Sequence, residues 1–251
     1  MRPARRTRTR RLLAILAASN AVVLAPHAHA DPDDYVAVPA VEYGEREVEL
    51  RLGTASATDE GRESAASLAF GYGVTPWWAT EIYGKWHRSG ATSFDAIEWE
   101  NRFQLTEPGR YFADFGLLVE IEWPRDRAEG YELRLGPLMQ KDFGPVQANL
   151  NVLIERHYRA SEPEVTELGY QWQLKYRFAP ALDFGAQGFG EVGAWNDWAP
   201  LHEQEHIAGP AIFGKFALGG RQVLKYDAAV LFKLSSAAPA TTLRAQLEYE
   251  F

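Results

Sequence analysis

The chain contains no cysteine, which excludes disulfide frameworks and thiolate metal sites and suits passage through an oxidising compartment. Beyond residue 30 it has no stretch approaching the roughly twenty consecutive apolar residues that a membrane-spanning helix needs. Bases are scarce there too. Six of the 26 lysines and arginines precede Asp31 and none of the 34 acids does, so residues 31–251 carry 20 bases against 34 acids, a net charge of −14. That balance speaks against a nucleic-acid partner. If such a chain spans a membrane, it does so with strands closed into a barrel.

What is present begins with a leader. Arg2, Arg5, Arg6, Arg8, Arg10 and Arg11 form a basic region, Leu12 to Leu24 an apolar one, and Ala28-His29-Ala30 a small-x-small cleavage site before Asp31. This order predicts a cleaved secretory signal peptide over 1–30. A periplasmic N-terminal segment over 31–42 and a barrel over 43–251 are expected to follow.

Almost all the remaining sequence alternates with period two in runs of about ten residues, the pattern of a strand with one face in lipid and one in water. In the last run Leu243, Ala245, Leu247, Tyr249 and Phe251 alternate with Thr242, Arg244, Gln246, Glu248 and Glu250. Strands are predicted near 44–53, 64–74, 78–88, 94–105, 110–123, 130–141, 145–157, 166–178, 181–192, 205–217, 222–234 and 241–251. The fold class is therefore all-β, a 12-stranded antiparallel up-and-down transmembrane β-barrel. Tight turn chemistry at Thr75-Pro76-Trp77, Thr106-Glu107-Pro108-Gly109, Asp142-Phe143-Gly144-Pro145, Ala179-Pro180 and Leu218-Gly219-Gly220 alternates with longer polar links such as 159–165 and 194–204. Short turns belong on the periplasmic side, which predicts a bacterial outer-membrane location with both termini in the periplasm. Gly136-Pro137 and Gly209-Pro210 fall inside two strands, and each predicts a local bulge, because proline removes a ladder donor.

Leu247, Tyr249 and the terminal Phe251 resemble the C-terminal signal of outer-membrane barrels, which implies the barrel-assembly machinery as a partner, with outer-membrane lipids around the product. More broadly, Phe70-Gly71-Tyr72-Gly73-Val74-Thr75, the two Gly-Pro strands and Phe184-Gly185-Ala186-Gln187-Gly188-Phe189-Gly190-Glu191 are similar to a family of uncharacterised proteobacterial outer-membrane proteins. That family resembles the barrels associated with phenol meta-pathway degradation. The resemblance spans most of residues 31–251 and implies a barrel and a transporter; it carries no catalytic motif.

His202-Glu203-Gln204-Glu205-His206 satisfies the H-E-x-x-H zinc pattern, which needs a helix to bring both histidines to one face. Pro200 before it and Gly209-Pro210 after it argue against a helix, so His202 and His206 are at most a weak metal candidate on the rim. His157, near Asn149, Asn151 and Glu155, and His87, near Ser89 and Ser93, are the histidines that a membrane-embedded lipid hydrolase could use, although neither has a nucleophile signature. No cofactor is implied. Strand parity places many charges of both signs in the lumen, with acids in excess. Glu98, Glu100, Arg102, Arg134, Lys175, Arg177 and Glu191 are the candidates for a constriction. The leading reading is a channel or transporter for small solutes with a net acidic lumen favouring cations or neutral solutes. A closed barrel with a structural or interaction role is the alternative, and a lipid hydrolase the second alternative.

Overall fold

A segment that alternates apolar and polar residues has one face that water rejects. Closing a ring of such segments pairs every backbone group and turns that face outward. The computed structural model describes residues 31–56, 62–162 and 164–251, so the predicted leader over 1–30 lies outside the described residues. Twelve long strands form: β1 (Arg46–Ser56), β2 (Arg62–Thr75), β3 (Trp78–Ser89), β4 (Ala91–Gln104), β5 (Asp114–Pro124), β6 (Tyr131–Phe143), β7 (Val146–Tyr158), β8 (Glu167–Ala179), β9 (Leu182–Ala194), β11 (Glu205–Gly219), β12 (Gln222–Lys233) and β13 (Thr241–Glu250). The two-residue β10 (Asp197–Trp198) pairs only with the end of β9. Each long strand pairs antiparallel with the next, and β13 returns to β1 from Glu47↔Glu250 to Ala55↔Thr242, which closes the barrel.

Most boundaries match the period-two reading within a few residues. β5 is the main difference, starting at Asp114 rather than at 110, because the preceding turn is tied to it. Asp114 Oδ1 accepts from Gly109 N at 2.6 Å, and Thr106 Oγ1 accepts from Phe115 N at 2.8 Å. The bulges expected at the two Gly-Pro pairs do not form. β6 and β7 pair at Leu135↔Ile154 and resume in the same register at Leu138↔Asn151; β11 and β12 do likewise from Ala208↔Phe232 to Ala211↔Ala229. Each proline points outward, and the glycine before it lets the neighbouring strand close in: a Cβ on Gly136 would lie 2.0 Å from Val152 O, and one on Gly209 2.0 Å from Val230 O.

Leu68, Phe70, Ile82, Ile97, Leu174 and Leu243 are exposed on the outer face, a surface that water would not tolerate at this extent and that lipid solvates. Aromatic pairs ring both ends. Trp78–Phe103, Phe216–Tyr226 and Tyr249–Phe251 sit at the short-turn rim, Trp86–Phe94 and Tyr131–Tyr158 at the long-loop rim, as amphipathic rings do at a membrane boundary.

The interior departs from the simple pattern. Leu118, Leu138, Leu153, Phe189, Ile207, Phe213 and Leu231 have inward parity and are buried. What buries them is residues 31–45. This segment was expected as a periplasmic tail over 31–42; instead it threads the lumen. Tyr35 and Ala37 pack with Leu118, Leu138 and Leu153, and Val36 packs with Phe189, Ile207, Phe213, Leu231 and Ala238. The reason is complementarity: Asp31 and Asp34 meet lumen cations, Asp33 meets a lumen hydroxyl, and the apolar stretch behind them covers an apolar waist.

Candidate pore and its lumen segment

One half of the wall is a dense ion network. On β1, β3 and β4, Arg51 contacts Glu49 and Tyr83 and lies 3.6 Å from Glu100. Arg102 binds Glu81, with Glu100 at 3.2 Å and Glu47 at 3.3 Å. Lys85 holds Glu122 at 2.6 Å and Glu98 at 3.4 Å, while Arg134 holds Glu155 at 2.9 Å and Glu120 at 3.5 Å. Buried charges persist only when paired in this way. Eight carboxylates share these four bases, so the acid excess read from the composition persists on this side.

The lumen segment is built into that network. Asp31 lies 2.9 Å from Lys85 Nζ, Asp33 Oδ2 accepts from Ser67 Oγ at 2.5 Å, and Asp34 lies 3.5 Å from Arg134. Tyr35 donates to Glu100 Oε2 at 2.5 Å, and its ring sits under the Arg51 guanidinium at 3.4 Å. Asn151 Nδ2 donates to Ala37 O at 3.1 Å, and Val41 N donates to Gln104 Oε1 at 2.9 Å. The descent ends at the short-turn rim, where Gly44 N donates to Gly73 O and Gly73 N to Glu45 O. Glu45 itself is pushed up to about 8 by burial and by a carboxyl-carboxyl hydrogen bond with Glu250. Gly53 makes the fit sterically feasible: a Cβ there would lie 2.1 Å from the Pro32 carbonyl carbon.

On the other half, amides replace ions. Gln187 Nε2 donates to Gln173 Oε1, and Arg244 Nη1 donates to Gln187 Oε1, both at 2.8 Å. Toward the short-turn rim this half stands away from the lumen segment and leaves a cavity of about 830 Å³, with Tyr35, Val36 and Val38 on one side and Lys175, Phe213 and Asp227 on the other. The layer around Val36 roofs it.

The seven constriction candidates do not form one ring. Glu98, Glu100, Arg102 and Arg134 belong to the ion network beneath the lumen segment. Lys175 and Arg177 border the cavity, Arg177 paired with Asp142 at the rim at 3.0 Å. Glu191 lies in the other half of the barrel, with Asp34, Arg134 and Glu155 around the same small void. The lumen is instead filled where Tyr35 and Val36 pack against the inward leucines, none of which alternation singles out.

The H-E-x-x-H stretch is a turn running into β11. His202 is exposed, while the His206 ring stacks on Tyr170 and is engaged by the Tyr170 hydroxyl and Gln204 Oε1, each at 2.9 Å. His157 faces Glu132 at 3.4 Å, and His87 faces Glu63 at 2.7 Å; the partner of each is a carboxylate rather than a hydroxyl. Among the described residues, three groups could in geometry hold a metal: Glu98 with Glu100 and Glu120, Glu132 with Glu155 and His157, and Glu45 with Glu47, Glu248 and Glu250. Each already has an internal cation: Lys85, Arg102 and Arg134 for the first, Arg134 for the second, Arg102 and Lys225 for the third.

A closed twelve-strand ring with a lipid-compatible outer face and a charged, partly hollow lumen defines an outer-membrane-type β-barrel. The solved structures it is similar to share that fold. The KdgM porin aligns over 82% of this chain and 99% of its own with 9% identity and a TM-score of 0.55. The COG4313 outer-membrane channel from Pseudomonas putida F1 aligns over 88% and 99%, with 13% identity and a TM-score of 0.55. The NanC porin aligns over 81% and 98%, with 9% identity and a TM-score of 0.54. At these identities the likeness is one of fold. No protein-family model matches the sequence, and no curated protein is similar to it in sequence.

Proposed function

We propose that this protein is an outer-membrane channel for small solutes whose path runs along β8 to β13 and is closed at rest by residues 31–45. The observation that carries the reading is the cavity of about 830 Å³ between that segment and the far wall, a space that a purely structural barrel has no reason to keep. In this reading the short-turn rim faces the periplasm, residues 1–30 are removed on export, and the resemblance to barrels associated with phenol meta-pathway degradation makes aromatic compounds the first solutes to test. Selectivity follows the charges along the open path rather than the total. Six acids and six bases border the cavity, so the open channel is expected to discriminate weakly between small cations and anions, despite the net charge of −14. Reversal potentials in planar bilayers under a salt gradient measure this, and a cation preference as steep as the composition suggests would place the path elsewhere.

The filled waist favours a second reading, a permanently closed barrel that acts through its loops. Bilayer recordings separate the two: a variant with the lumen segment displaced conducts in the first case and stays silent in the second. Assembly carries a further expectation. Phe251 stacks on Tyr249 at 5.5 Å at the end of the closing strand, and deletion of Phe251 is expected to lower the folded, heat-modifiable fraction in the outer membrane severalfold. An unchanged fraction would remove this residue from the recognition signal.

A further inference from the structure

Cations bordering the cavity are committed, with one exception inside it. Arg51 and Arg102 belong to the ion network, Lys225 lies 3.0 Å from Glu248, Arg177 holds Asp142, and Lys215 is exposed at the mouth. Lys175 is only partly exposed and has no carboxylate within ion-pair distance among the described residues. Its Nζ instead lies 4.8 Å from the centroid of the Phe213 ring. The two side chains meet across β9, where the intervening inward position is Gly185; a Cβ there would lie 3.0 Å from Phe213 Cε2. The acids nearest in register are occupied. Asp183 accepts from Phe178 N at 3.1 Å, and Asp227 lies 3.5 Å from Arg244. Opposite stand Val36 and Val38 of the lumen segment, with the amides of Gln147 and Gln173 beside.

We infer that Lys175 is the anchor of a binding site for a small organic monocarboxylate with an apolar body. A half-buried ammonium with no counter-ion is satisfied best by one carboxylate, through a charge-assisted hydrogen bond. The apolar surface of Phe213, Val36 and Val38 then takes the body of the ligand, and the amides take the second carboxylate oxygen. A cation is repelled at this position. A neutral analogue keeps the apolar contact and loses the ionic one. Inside the cavity Lys175 is the one cation without a carboxylate at ion-pair distance among the described residues, so the wall offers one ionic contact rather than two. The site rests on the channel reading for its purpose, as the place where a solute pauses before the roof opens, but not for its existence.

Isothermal titration of the refolded, detergent-solubilised barrel tests it with three probes: benzoate, benzamide and acetate. Benzoate is expected to bind at least about tenfold more tightly than either of the others, since benzamide lacks the charge and acetate the body. Lys175→Met is expected to weaken benzoate about tenfold or more and leave benzamide unchanged, while Lys175→Arg retains most of the affinity. Heat-modifiable mobility on gels certifies that each variant is folded. Failure of benzoate to bind the wild-type barrel, equal binding of benzoate and benzamide, or unchanged benzoate affinity in a folded Lys175→Met variant overturns the site. Binding without conductance in bilayers removes the channel reading and leaves the site; conductance without binding does the reverse.

Discussion

A chain lacking residues 31–42 is expected to conduct severalfold more than the full-length protein in planar bilayers, with frequent open events where the intact barrel is mostly closed. The deletion removes the only backbone that crosses the lumen among the described residues, while the ring that pairs β1 with β2 and β13 starts at Arg46 and is left whole. Its charged contacts survive the loss. Lys85 keeps Glu98 and Glu122 when Asp31 goes, and Arg134 keeps Glu120 and Glu155 when Asp34 goes. Two further variants reach the same point without a deletion. Gly53→Val places atoms where the Pro32 carbonyl now sits and is expected to raise conductance in the same direction. Asp33→Cys with Ser67→Cys joins two side chains now 2.5 Å apart, and in a chain with no other cysteine its oxidation is expected to abolish openings that reductant restores. Identical traces from the deletion, the valine variant and the wild type would mean that residues 31–45 do not obstruct the path.

Arg51→Met is expected to destabilise the barrel by about 3–5 kcal/mol, the usual consequence of removing one partner from a buried ion network. Arg51 is the shared partner of Glu49 and Glu100, it donates to the Tyr83 hydroxyl oxygen, and it stacks on Tyr35 and Tyr83 at 3.4 and 4.2 Å from the ring centroids. Methionine fills much of the volume and supplies none of the donors. Glu49, with only a few per cent of its side chain exposed, is then left with the Gln246 amide in place of a base, and buried Glu100 keeps only Arg102 as a base among the described residues. Urea unfolding in detergent or lipid measures the shift in midpoint. The comparison variant is Arg110→Ala, whose ion pair with Glu107 is solvent-exposed and whose loss is expected to leave the midpoint where it was. A midpoint for Arg51→Met that coincides with the Arg110→Ala value would show that the network contributes little.

Strand parity was legible because alternation is a local property: each residue from Glu98 to Arg102 declares its face by its neighbours alone, and the inward set holds around the barrel. Two features were not legible for the same reason. The Gly-Pro pairs look like bulges within one strand, and only the facing strands, drawn close over glycine, keep their register. Residues 31–45 have no period, since Pro32 and Pro39 break any strand there, so they read as a tail. Their counterpart was scattered. Leu118, Leu138, Leu153 and Leu231 are single exceptions to polar inward positions on four different strands, and their meaning emerges only when the ring brings them to one level. The candidate charges were assigned to the correct face, but pairing across strands decided which of them remain open to a solute. Lys175 differs from Arg102 through Gly185 and Phe213, two strands away, rather than through anything in its own run.

The seam where Glu47 meets Glu250 joins the first strand to the last, so the ring is sealed only once the final residues have been delivered. Until then both edges stay open, and the acidic stretch before β1 has a sideways route into the lumen as well as an axial one. The position of the seam thus couples the fate of that stretch to the closure of the wall.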